Sequence, residues 1–69
     1  MNDDIALRAA YSRLLRNTHE RSAARRLLET ADRYDVRRAA EETIRWCDEQ
    51  ERRILATIAA LREVEYERR

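Results

Sequence analysis

Apolar residues in the second half of the chain recur at alternating spacings of four and three. Val36, Ala40, Thr43, Ile44, Cys47, Gln50, Glu51, Ile54, Ile58, Leu61 and Val64 or Glu65 make one stripe, with Gln50 and Glu51 as its polar interruption. Such a period predicts a single amphipathic helix over 36–68, about 50 Å long at 1.5 Å per residue. The first half reads differently. Leu7, Ala10, Tyr11, Leu14, Leu15 and Thr18 fall on one stripe, whereas Ala23, Ala24, Leu27, Leu28, Ala31 and Tyr34 fall on another, rotated from it by more than about 100°. A left-handed supercoil absorbs only about 20° of drift per heptad, so the seam is expected to change face within LLRNTHERSAARRLL, residues 14–28.

Residue types at that point favour a break. Asn17, Thr18, His19 and Ser22 are weak helix formers, and Asn17 followed by Glu20 has capping-box spacing. Asn2, Asp3 and Asp4 would cap and charge the first turn of an opening helix, and Asp35 would cap the last one. Two all-α architectures follow. In one, helices over 3–16, 18–33 and 36–68 form a three-helix bundle with a long third helix. In the other, the first two are one helix, kinked or seam-slipped near 17–22, that pairs with the last as a long antiparallel hairpin. The hairpin is favoured, because ILATIAAL at 54–61 would otherwise overhang uncovered. Residues whose numbers total about 69 would then face each other: Leu14 and Leu15 with Ile54 and Leu55, Tyr11 with Ile58, Leu7 with Leu61, and Ala23 with Trp46 and Cys47. The expected seam is Leu7, Tyr11, Leu14, Leu15, Leu27, Leu28, Cys47, Ile54, Ile58 and Leu61. One hairpin offers each helix a single neighbour, so two chains would pair into a four-helix bundle.

Composition strengthens the helical assignment. There is no Gly and no Pro among 69 residues, and 42% are charged. One domain fits this length, and so small a core needs oligomerisation or very efficient helix packing. The net charge of +1 conceals a dipole: residues 5–38 carry nine Arg against four acids, and residues 39–69 carry six Arg against eight acids. Acid-before-arginine pairs at i, i+4 (Glu29–Arg33, Glu41–Arg45, Asp48–Arg52, Glu49–Arg53, Glu65–Arg69) account for much of the charge as a solvated helix face. A lone Cys permits no internal disulfide and, with no apolar run of membrane-spanning length or export signal, leads to the expectation of a cytoplasmic protein without membrane contact.

Few residues carry chemistry. His19, Gln50 and Glu51 are expected to meet as a central polar layer, whose simplest role is to fix register. Its alternative role, a metal or protonation site at a two-fold axis, has only one His and one Glu per chain to draw on. Cys47 lies on the stripe as a small hydrophobe, with an acidic neighbour in Asp48 rather than the base and cation that a nucleophilic thiol requires. Trp46, beside the stripe, can close the core or anchor a partner. Tyr34 and Tyr66 read as flank packing. Arg21, Arg25, Arg26 and Arg33 lie opposite Leu27 and Leu28 as a strip able to contact phosphates, although no interleaved aromatic residues accompany them.

These features predict a non-enzymatic protein with no catalytic, cofactor-binding or metal-binding residues, acting through self-association, as a homodimer, and through binding a protein partner. An RNA- or DNA-binding regulator using the arginine strip is the alternative. A designed bundle without biological function is a third reading that the absence of Gly and Pro suits, whereas His, Cys, Trp and the lack of Lys suit a natural gene better.

Overall fold

The computed structural model describes residues 2–67, with side chains from Asp4 onward except at 65. Two helices, α1 (Asn2–Thr30) and α2 (Tyr34–Glu67), pack side by side as an antiparallel hairpin about 54 Å long. The three-helix alternative is therefore not what the chain adopts. The expected cap at Asn2 and Asp3 and the Glu65–Arg69 pair involve side chains outside those described.

α1 runs unbroken through residues 17–22, and its seam does not change face. Leu7, Ala10, Leu14, Asn17, Arg21, Ala24 and Leu28 are its inward positions, alternately three and four apart, which is a regular heptad seam. The apparent slip arises because two of those positions, Asn17 and Arg21, are polar. With both removed from an apolar tally, the neighbouring Tyr11, Leu15, Ala23 and Leu27 suggest two stripes where there is one. On α2 the corresponding positions are Ala40, Ile44, Cys47, Glu51, Ile54, Ile58 and Leu61, close to the stripe expected from the sequence.

Seven of the ten expected seam residues, Leu7, Leu14, Leu28, Cys47, Ile54, Ile58 and Leu61, do lie between the helices, buried or half-buried. Tyr11, Leu15 and Leu27 do not. They are exposed by 44%, 61% and 46%, because they stand one to three residues from a seam position and so project from the flanks of α1. The tight apolar core is Ala10, Ile54 and Ile58, with Leu7 and Leu14 packed against it. Toward the loop the seam continues through Ala24 and Ala40, both buried but small.

The connection is only Ala31, Asp32 and Arg33. Without a glycine to adopt a left-handed cap, the end of α1 is closed by a cation instead. Arg37 Nη1 donates to the carbonyl oxygens of Leu28 at 3.1 Å and Ala31 at 3.4 Å. Asp35 lies in the first turn of α2, where its carboxylate accepts from the Val36 amide and from Arg33, so α2 begins two residues before the expected start. The loop, centred on Asp32 rather than between residues 34 and 35, also shifts the register. Asn17 opposes Cys47 and Leu28 opposes Arg37, so facing numbers total 64 or 65 rather than 69. Ala23 consequently lies nearer Ala40 than Trp46.

Of the expected i, i+4 pairs, Glu49–Arg53 forms at 3.0 Å. Arg33 turns instead to Asp35, and Asp48 turns across the seam to Arg21.

Candidate functional site

Midway along the hairpin the apolar seam gives way to a polar layer. Asn17 is 5% exposed, and its Nδ2 donates 2.7 Å to the backbone carbonyl of Cys47. One turn later, Arg21 Nη1 reaches Asp48 Oδ1 at 3.0 Å and also Glu51 Oε2. A guanidinium at a seam position can do this because its alkyl stem packs like a hydrophobe while its head reaches the flank. The two carboxylates raise the Arg21 pKa still further, chiefly by accepting its hydrogen bond at Asp48 and next by accepting at Glu51. Arg21 therefore stays charged under all ordinary conditions.

The layer is not the one the spacing predicts. Glu51 belongs to it and Gln50 is half-buried at its edge, but His19 is exposed. His19 stands two residues after Asn17, a rotation of about 200°, which places it on the solvent side of α1. It meets neither Gln50 nor Glu51 through any hydrogen bond or ion pair among the described residues. Among those residues, too, no three His, Cys, Asp or Glu side chains are arranged to hold a metal ion. Arg21 also leaves the expected phosphate strip, since its head is committed across the seam. Arg25 and Arg26 remain exposed, and Arg33 is engaged by Asp35.

Cys47 is completely buried. Burial, followed by the nearby charge of Glu20, pushes its thiol up from the usual cysteine value. Protonated and covered, it is a packing group.

One flank of the polar layer opens to solvent. Arg13, Arg16, Asn17, Glu20, Trp46, Gln50 and Ile54 line a shallow cleft of about 170 Å³. Asn17 Oδ1 is buried with no hydrogen-bond partner, the one such side-chain atom among the described residues. Trp46, expected either to close the core or to anchor a partner, is 53% exposed at the cleft's rim. Glu20 also borders a second, larger depression of about 380 Å³ toward the loop, floored by Ala23, Ala24, Ala39 and Ala40 and edged by Leu27 and Thr43. The two form one continuous face. The opposite face carries Tyr11, Leu15 and Leu55, all substantially exposed.

No known protein family, curated protein or solved structure matches this chain. Its chemistry must be taken from its own surface. No described helix is long and apolar enough to cross a membrane. Tyr34 and Tyr66, expected to pack on the flanks, are 75% and 81% exposed. Sequence reasoning missed Asn17 and Arg21 as seam residues. The signal that identifies them is the strict heptad spacing from Ala10 to Asn17 to Ala24 and from Leu14 to Arg21 to Leu28.

Proposed function

We propose that this protein is a non-enzymatic helical interaction module whose functional form is a self-associated hairpin. The observation that carries this reading is surface area. The hairpin exposes 5775 Å². A compact monomer of 8.3 kDa would expose about 4,600 Å², leaving about 1,200 Å² of excess. Stable interfaces remove about 800 Å² per partner and obligate ones about 1,000 to 2,500 Å². The excess is thus of the size that one further helical layer would cover.

Composition of the core points the same way. Among the described residues six apolar ones are buried and three of them are alanines, whereas Leu15, Leu27, Trp46 and Leu55 remain exposed. A two-helix layer with large apolar groups on its flanks and small ones inside has its natural apolar partner outside itself. Binding of a heterologous protein would use the same flanks.

Sedimentation equilibrium between about 1 and 500 µM tests the reading. Association to a dimer with cooperative, concentration-dependent melting is expected. A folded monomer throughout that range would overturn it.

A further inference from the structure

We propose that a second copy of this chain covers the face bearing Asn17, Trp46 and the alanine groove, in an antiparallel two-fold dimer whose axis lies at the level of Asn17 and Trp46. This rests on the self-association reading above and adds the face, the direction and the pairing.

Three observations on that face converge. Asn17 lines the cleft, and its Oδ1 is buried without a partner in the single hairpin, so a copy that covers the cleft and brings a donor within reach of that amide would satisfy it. Trp46 and Gln50 line the same cleft and carry N–H groups not used in any side-chain hydrogen bond among the described residues. A self-complementary contact therefore supplies the donor from the same residues that surround the acceptor.

The second observation is charge. Arg16 and Glu20 stand one turn apart on this face of α1, about 6 Å along the helix, and neither forms an ion pair within the hairpin among the described residues. An isologous interface pairs residue i with j and j with i. With the axis perpendicular to the helices and level with residue 18, Arg16 lies over Glu20 of the second copy, and Glu20 over its Arg16. The same operation brings the two Trp46 side chains together, with Leu27 falling over Ala9 of the second copy.

Third, the alanine floor beside Leu27 allows close approach of another helix. Under the same operation Arg13 and Arg53 of the second copy lie over Ala23 and Ala39, whose small side chains leave room for the apolar stems of the arginines. The opposite face, with Tyr11, Leu15 and Leu55, holds no unpartnered buried polar atom among the described residues.

Charge reversal tests the arrangement. The dimer dissociation constants of the wild type, Arg16→Glu, Glu20→Arg, the double reversal and Leu15→Glu are to be measured by sedimentation, with circular dichroism confirming helix content in each. Either single reversal should weaken the dimer about tenfold or more, because like charges then face each other at both symmetric positions. The double reversal should return to within about threefold of the wild type, since the reciprocal pairs re-form with opposite polarity. Leu15→Glu should leave the constant unchanged. A dimer that ignores the single reversals but is lost with Leu15→Glu would overturn this face while sustaining self-association. Single reversals that weaken the dimer without rescue by the double would overturn the pairing. A wild-type chain that remains monomeric would overturn both proposals.

Discussion

Asn17 Nδ2 donates to the Cys47 carbonyl at 2.7 Å, while the other end of the same amide, Oδ1, accepts nothing. The bond pins the register of α1 against α2 at the centre of the hairpin. Its cost is one buried acceptor without a partner. A branched apolar side chain removes both terms, and the Cys47 carbonyl lies within α2, where the helix itself can satisfy it. Asn17→Leu should therefore raise the melting temperature, by about 4 to 8 °C if the gain is about 1 kcal/mol, whereas Asn17→Ala should lower it. Thermal denaturation followed by circular dichroism, at a concentration low enough to keep the hairpin monomeric, distinguishes the two. A drop with leucine would show that the amide contributes more than register.

Arg21 sets a second expectation. Its head holds Asp48 and Glu51 together, so Arg21→Glu would gather three acids in one layer and should unfold the hairpin at low salt, with partial recovery as salt screens the repulsion. Arg21→Met keeps the stem and leaves two part-exposed carboxylates, and should fold with a smaller loss. Denaturant titrations at 20 mM and 500 mM salt would reveal the difference. Equal behaviour of the two variants would remove Arg21 from the seam.

Core and flank should separate cleanly. Ile54, 3% exposed within the cluster formed with Ala10 and Ile58, should lose about 2 to 5 kcal/mol on truncation to alanine. Leu15, 61% exposed, should tolerate Leu15→Asp with a change within about 0.5 kcal/mol. Urea titration of both variants provides the comparison. A collapse of Leu15→Asp would place that side chain in an interface of its own.

That contrast also shows where the sequence was legible. The hairpin and most of the α2 seam follow from the spacing of Ala40, Cys47, Ile54 and Leu61, because nearly every inward position of α2 except Glu51 is apolar or a buried cysteine. α1 misleads because burial there is assigned by geometry and compensated by partners on the other helix. Nothing within residues 14–28 reveals that Asn17 will find a carbonyl or that Arg21 will find two carboxylates. The displacement of His19 from the polar layer, and of Tyr11, Leu15 and Leu27 from the seam, are consequences of that single misassignment. The register shift has a separate origin in the Arg37 cap, a side chain from the second helix that allows a three-residue loop without glycine.

Loss of that cap should be measurable. Arg37→Ala leaves the Leu28 and Ala31 carbonyls to water, at a cost of about 0.5 to 1.5 kcal/mol at this exposed site. Amide hydrogen exchange in the last turn of α1 should accelerate more than elsewhere. Uniform acceleration would mean that the cap supports the whole hairpin rather than its end.

Cys47 makes stability depend on alkaline pH. Its thiol is raised by burial, so as pH climbs past the unfolded value of about 8.5 the unfolded chain releases a proton that the folded chain retains, and the unfolded state gains. Stability should be level with respect to this group below about pH 8 and decline above it, and Cys47→Ala should flatten that decline. Denaturant midpoints at pH 7.0 and 9.5 for both proteins test the sign. An unchanged slope in the variant would assign the decline to other groups. The native thiol should also react slowly with a disulfide reagent, at a rate limited by opening of the seam.

The polar layer divides the seam into unequal halves. Beyond it, toward the chain termini, stand Leu7, Ala10, Leu14, Ile54 and Ile58, whereas toward the loop the fully buried apolar side chains are Ala24 and Ala40. Covalent closure therefore secures the end that is thinly packed, and packing secures the end that is covalently free. Such a clasp would open from its hinge inward, so the loop-proximal turns rather than the termini are where a binding partner would find the helices easiest to part.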